Sequence, residues 1–299
     1  MSEQYIIARS FGYVDPNFPN PGGPNDTSII IYGYTPSLAI AAFAAAWFFF
    51  HLITHTAQNW KYRSWWWMSF STGLVFEIIG YIARSLSAKK DPYSLIYFVL
   101  NYFFVVTAPV FLAAGIYTIL SALISRLGNQ YSFLRPTVIL GFFITSDAIS
   151  TIVQIAGATL IGVKQSRRED PTTANNILLA GLAYQVFAMS NFVLLMATFQ
   201  FRACHAIKQH GYQVFCLSFS VSTLMVYMRT IFRLIETAEG LGSKLSTHEV
   251  YFACLEFVPI ALVALLFCIW HPGRCLGAKV RAGNEKRINP GSAPDNSYA

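Results

Sequence analysis

Arg229, Arg233 and Glu236 fall at i, i+4 and i+7 within one apolar stretch, so three charges share a single helix face. Insertion scales put a charged side chain at the centre of a bilayer at roughly +2.5 to +3.5 kcal/mol, so such residues face a bundle interior, find partners and mark a pathway. The same device recurs. Glu77, Gly80, Tyr81 and Arg84 stand at i, i+3, i+4 and i+7 in an earlier stretch, and Asp147, Ser150, Gln154 and Gly157 share a face of another. Gly181 with Gln185, and Glu249 with Glu256, add polar positions on two more. Carboxylates held away from water can meet an ammonium group or carry a proton, and guanidinium groups can hold a phosphate. The candidate substrate site is therefore Glu77, Tyr81, Arg84, Asp147, Gln154, Gln185, Arg229, Arg233, Glu236 and Glu256, converging on a polar cavity. The competing reading is an ion-pair network that fixes helix order, although buried pairs seldom improve stability over apolar packing.

The elements that must position these residues are membrane helices. Hydrophobic residues make up 55% of the 299-residue chain and charged residues only 12%, about half the charge of a soluble domain. Seven stretches are long enough, at about 20 residues each, to cross a hydrocarbon core of about 30 Å. They are roughly 35–55, 65–85, 95–123, 137–162, 177–201, 214–235 and 250–270. The expected fold is an all-α membrane protein, a seven-transmembrane helix bundle over 35–271, with a polar N-terminal tail, 1–34, and a basic C-terminal tail, 272–299. Short connections leave no room for a soluble catalytic domain.

Orientation follows from charge. The first 34 residues carry no basic-then-apolar signal peptide, so the first span is expected to direct insertion. With the N-terminus outside, Lys and Arg divide 11 to 7 in favour of the inner side. The sequon Asn25-Asp26-Thr27 adds a glycosylation site, Asn25, in the N-terminal tail. On that topology these ionic residues lie in the outer half, Asp147 near the middle, and Trp65, Trp66, Trp67 and Trp270 form an inner aromatic belt. The net charge of +7 suits an anionic lipid surface rather than nucleic acid. Five cysteines show neither paired nor zinc-type spacing. Pro109 and Pro259 lie inside spans, where each removes a backbone hydrogen bond and should kink its helix.

Taken in chain order, the motifs resemble those of the fungal lipid-translocating exporters, also called the resistance-to-aminocholesterol family. The resemblance covers about 33–276. It rests on Glu77-x-x-Gly80-Tyr81-x-x-Arg84, Ala108-Pro109-x-Phe111-x-Ala113-Ala114-x-x-Tyr117, and Asp147-x-x-Ser150-x-x-x-Gln154-x-x-Gly157. Gly181-Leu182-x-x-Gln185, Arg229-x-x-x-Arg233-x-x-Glu236, His248-Glu249 with Glu256, and His271-Pro272-Gly273 complete it. Ala253 and Ile260 depart from the family's usual Tyr and Met, both at packing positions. The resemblance implies a seven-span fungal protein, in the plasma membrane, that exports sphingoid long-chain bases or similar amphipathic lipids, or confers resistance to toxic amphiphilic small molecules. It implies no cofactor, no enzyme activity and no partner beyond those lipids and small molecules.

Other classes leave different marks. No P-loop is present, since Gly240-Leu241-Gly242-Ser243-Lys244 lacks its spacing. Movement would then be passive, coupled to protons through Asp147 or Glu77, or assisted by a partner. For a cationic long-chain base, Glu77, Asp147 and Glu256 are expected to meet the amine while Arg229 and Arg233 balance charge or hold phosphate. His51-x-x-x-His55 could bind zinc on one helix face, the mark of a zinc-dependent lipid hydrolase, yet the acidic residues cluster toward the opposite side. A seven-span lipid-sensing receptor is the other alternative; the last span has no Lys for a retinal Schiff base.

Overall fold

The computed structural model describes residues 14, 15, 18, 26, 27, 30, 32–166, 170–239 and 248–276. Asn25, Lys244 and the tail beyond 276 lie outside the described residues. Among the described residues seven long helices follow one another: α1 (Leu38–Tyr62), α2 (Met68–Lys89), α3 (Leu95–Leu127), α4 (Pro136–Ser166), α5 (Thr172–Arg202) and α6 (Gln213–Glu239), then α7. Helix α7 has three parts: Glu249–Phe252, a π-helical turn over Ala253–Phe257, and Val258–Ile269. A short helix, Cys204–Gln209, links α5 to α6. Among the described residues there is no strand, only an isolated bridge between Asp26 and Ser94.

Each long helix packs on its neighbours in sequence, α7 returns to α1, and α3 also touches α6, so the helices form a closed ring. Six of them are long and apolar enough to cross a membrane: Leu38–Tyr62, Leu95–Leu127, Pro136–Lys164, Thr172–Arg202, Gln213–Glu239 and Glu249–Leu276. The expected count of seven is therefore not met on this criterion. Helix α2 has 22 residues, enough length, but Glu77, Arg84 and its serines lower its apolar character.

Small residues set the close approaches that hold the charged faces inward. A side chain on Gly80 would put its Cβ 2.6 Å from Val105 of α3, and Asn101 donates from Nδ2 to the Gly80 carbonyl at 2.9 Å. At Gly157, a Cβ would lie 2.6 Å from the backbone nitrogen of Leu178, so α4 and α5 touch backbone to backbone there. Gly181 carries the same joint further, its carbonyl accepting from Ser150 Oγ at 2.7 Å. The Glu-x-x-Gly-Tyr and Gly-Leu-x-x-Gln motifs thus combine a polar group with the notch that lets a neighbour reach it.

Two expectations need correction in this frame. Trp65–Trp67 form a 3-10 turn before α2 rather than its first turn. Trp65 is exposed as a membrane-interface residue would be, but Trp67 is wholly buried, stacked on Phe70 at 4.6 Å and edge-on to Phe267. It belongs to the core, not to the belt. The N-terminal segment, expected as a polar tail, packs against the bundle at its described positions: Thr27 donates N–H and hydroxyl to the Tyr93 carbonyl at 2.9 and 3.0 Å.

Candidate functional site

Arg229 is the centre of the ionic cluster. Its Nη2 lies 2.6 Å from Glu256 Oε1, 3.5 Å from Glu77 Oε1 and 3.0 Å from the Val105 carbonyl, and all three charged side chains are almost fully buried. The backbone acceptor exists because of Pro109. A proline has no N–H to give the carbonyl four residues back, which in α3 is Val105, and Arg229 takes that carbonyl instead. Glu256 owes its place to a second proline. Pro259 cannot bond the carbonyl of Leu255, and the ladder before it widens into the π turn that contains Glu256.

Around this centre stand two further pairs. Arg233 Nη1 donates to Glu236 Oε2 at 2.9 Å, while its Nε lies 3.9 Å from Glu256 Oε2 and its guanidinium 5.1 Å from the Tyr102 ring. Arg84 pairs with Glu249 at 3.3 Å. Among the described residues three arginines thus face four carboxylates, Glu77, Glu236, Glu249 and Glu256, leaving one negative charge unmatched when all are ionised.

A cavity of about 130 Å³ lies beside the cluster, at the end of the ring where α2, α4 and α6 finish and α3, α5 and α7 begin. Its charged wall is Arg84, Arg233 and Glu236; its apolar wall includes Phe98, Val105, Ile161 and Leu178. Space for one water needs about 10–15 Å³ on a comparable measure, so the cavity accommodates a headgroup and its solvent. A smaller one of about 20 Å³ lies next to it, lined by Pro109, Gln154, Gln185, Arg229 and Glu256. Arg233 and Val105 line both.

The N-terminal segment borders the larger cavity. Tyr32 and Tyr34 line it, and the Arg84 guanidinium lies 5.3 and 5.6 Å from their rings and 4.0 Å from that of Phe252. Arg84 also donates from Nη2 to the Tyr34 hydroxyl. Burial pushes the Tyr32 phenol up to about 12 and raises that of Tyr34 as well, so both rings meet Arg84 as neutral phenols. Ser37 N–H donates to Glu249 Oε1 at 2.9 Å, which ties the start of α1 to the same ion pair.

The other expected site residues lie elsewhere. Tyr81 is packed among Phe48, Phe252 and Phe257 and borders neither cavity. Gln154 donates from Nε2 to Gln185 Oε1 at 2.9 Å, and both line the small cavity. Asp147 is buried in α4, accepts from the Tyr117 hydroxyl at 2.7 Å and borders neither cavity. Tyr32, Tyr34, Asn101, Tyr102 and Asn175 line the larger cavity without having been singled out in the sequence. Asn101-Tyr102, a polar pair inside a strongly apolar span, was the available signal. Tyr32 and Tyr34 read equally well as ordinary interface aromatics.

At the opposite end, the histidines take structural contacts. His51 bonds through Nδ1 to the Trp47 carbonyl at 2.9 Å, and His55 through Nε2 to that of Ala264 at 3.1 Å. His271 stacks on Tyr62, and a Cβ on Gly273 would strike Ser64. Among the described residues no group of three or more His, Cys, Asp or Glu could hold a metal ion.

Comparison with known proteins follows the same residues. The family model described as RTA1 like protein matches residues 70–279. The sphingoid long-chain base transporter RSB1 of Saccharomyces cerevisiae (strain Lalvin EC1118) is 29% identical, the match covering 74% of this chain and 68% of that protein. Protein RTM1 of Saccharomyces cerevisiae is 27% identical, over 66% of this chain and 64% of that one. Protoporphyrin uptake protein 1 of the same species is 27% identical, over 67% and 66%. No solved structure matches. Because the family model spans well over half of the chain and takes in every ionic residue of the cluster, this multi-pass helical membrane protein belongs to the fungal RTA1-like family.

Proposed function

We propose that the protein translocates cationic amphipathic lipids of the sphingoid long-chain base type, binding the amine in the larger cavity. The observation that carries this reading is the unmatched carboxylate. Three guanidinium groups and four carboxylates border or adjoin a space whose other walls are aromatic and aliphatic. A monovalent ammonium restores neutrality there, and the apolar wall takes the first carbons of its chain. A relative named as a sphingoid long-chain base transporter supports the same class.

In this reading α2 crosses the membrane with the other six, because the charges within its length ahead of the terminal Lys89 are turned into the ring: Glu77 and Arg84 are each about 1% exposed. The N-terminus lies outside, at the plasma membrane, Asn25 is glycosylated, and the larger cavity is the outward-facing one. Glu236 and Glu256 meet the amine; Arg233, which borders both cavities, separates its outer and inner positions. Gln154 and Gln185 solvate it below. Export lowers the internal concentration of toxic amphiphiles, which gives resistance.

The test compares export of a labelled sphingoid base from cells making the intact protein, Arg233→Ala or Glu236→Gln, with membrane abundance matched. Faster export that either change abolishes supports the pathway. Export that survives both, or the absence of export by the intact protein, overturns it; ligand-triggered signalling without flux would point instead to a receptor.

A further inference from the structure

Among the described residues Asp147 is the carboxylate of the polar constellation that makes no ion pair. Its Oδ2 accepts from Tyr117 of α3 at 2.7 Å, its Oδ1 is buried with no protein partner, and the residue is 2% exposed. The same phenol lies 3.5 Å from Met189 Sδ of α5, a group that does not ionise. Tyr117 is the titratable group that faces Asp147 from α3; α5 presents none, and α4 itself adds only Ser146, Ser150 and Thr151 nearby. No ion pair among the described residues includes Asp147. An isolated buried carboxylate with a single hydrogen bond does not stay ionised; it takes a proton.

A polar track joins this carboxyl to the small cavity. Asp147, Ser150, Thr151 and Gln154 stand at i, i+3, i+4 and i+7 on α4 and therefore on one face. All four are buried. Gln154 Nε2 donates to Ser150 Oγ at 2.8 Å and to Gln185 Oε1 at 2.9 Å, and both glutamines border the cavity that contains Arg229 and Glu256. Hydroxyls and amides in this order on one buried face offer a proton a route between a buried acid and a charged cavity.

We infer that Asp147, with Tyr117 as its hydrogen-bond donor, is a proton-binding site that exchanges its proton against the cation held in the charged cavity. The inference rests on the cationic cargo proposed above. As the ammonium leaves, the O–H bond at Asp147 breaks and one forms at the unmatched cavity carboxylate, so the cavity is not left with a bare negative charge. Asp147 then regains a proton from solution. No electron moves and no co-reactant is consumed.

The proton site is tested without any cargo. Infrared spectra of the purified protein in lipid vesicles should contain a protonated-carboxyl C=O stretch that Asp147→Asn removes. Tyr117→Phe should move that band to higher frequency, because its carbonyl loses a donor. A spectrum unchanged by Asp147→Asn overturns the proposal, as does a band that Tyr117→Phe leaves in place. With a labelled sphingoid base inside the vesicles, an imposed proton gradient should accelerate release by the intact protein and have no effect on Asp147→Asn. Release that ignores the gradient in the intact protein refutes the exchange. The band without any cargo release refutes the cargo instead and leaves the proton site standing.

Discussion

Replacing Arg229 by Met should be far more harmful than removing the whole ionic centre. At an effective dielectric of about 20, charges 2.6 and 3.5 Å apart, as Arg229 is from Glu256 and Glu77, attract by roughly 6 and 5 kcal/mol. Against this stand desolvation penalties of several kcal/mol for each of three ions. The two nearly cancel, so the intact cluster adds little net stability. Arg229→Met keeps the carboxylate penalties and loses the attraction, and the expected cost is about 3–5 kcal/mol. That is a fall of roughly 150- to 4,000-fold in the folding equilibrium. The triple change Glu77→Gln, Arg229→Met, Glu256→Gln removes the charges together and should recover most of that stability while transport stays lost. Denaturant unfolding of the purified protein in one fixed detergent, read by tryptophan fluorescence, compares the three. A triple variant as unstable as the single one would refute the electrostatic account, and so would a fully stable Arg229→Met.

Two further outcomes concern the segment over the larger cavity. Tyr34→Ala removes a hydrogen bond and a ring from Arg84, contacts worth about 1–3 kcal/mol together; a spin label at Val14 should become more mobile, with helix content unchanged. The same label should also respond to pH. Burial, reinforced by a hydrogen bond that the protonated Asp91 carboxyl donates to the neighbouring Asp26, raises the Asp91 carboxyl above its ordinary value. A carboxyl raised in the folded state stabilises it fully below the ordinary carboxylate range, and this contribution is lost as pH rises through the raised value. The label should therefore be most restrained in acid, and Asp91→Asn should remove most of the pH response.

Much of the charged centre was legible because ionic residues in apolar runs are costly and their spacing is visible. Arg229, Arg233 and Glu236 on one face needed only the period of a helix. Partners were not legible, since pairing depends on which helices touch: Arg229 forms ion pairs with Glu77 and Glu256 from two different helices, and Arg84 takes Glu249 rather than Glu77 on its own face. Tyr81 sits on the right face by spacing, but depth places it among Phe48, Phe252 and Phe257 rather than at the cavity. Nor did hydropathy separate Trp67 from Trp65. One turn of 3-10 helix sends the first into the core and the second out.

Pro259 shows how a helix irregularity becomes part of a site. In a regular helix each residue turns about 100° from the last, so the extra residue in the π turn at Ala253–Phe257 re-aims everything before it relative to the segment after it. Glu249 and Phe252, which grip Arg84, lie on the near side of that turn; Ile260 and Val263, anchored in the core, lie on the far side. Pro259→Ala supplies the missing N–H to the Leu255 carbonyl and lets the turn tighten. Glu249 would then swing away from Arg84 and from the Ser37 N–H. The expected result is a looser N-terminal segment and weaker cargo retention in a protein of unchanged or greater thermal stability, because a proline has been removed from a helix interior. Spin-label mobility at Val14 together with a melting curve decides it. A variant that melts lower yet keeps its N-terminal segment restrained would mean that Pro259 serves packing alone and that the π turn does not aim Glu249.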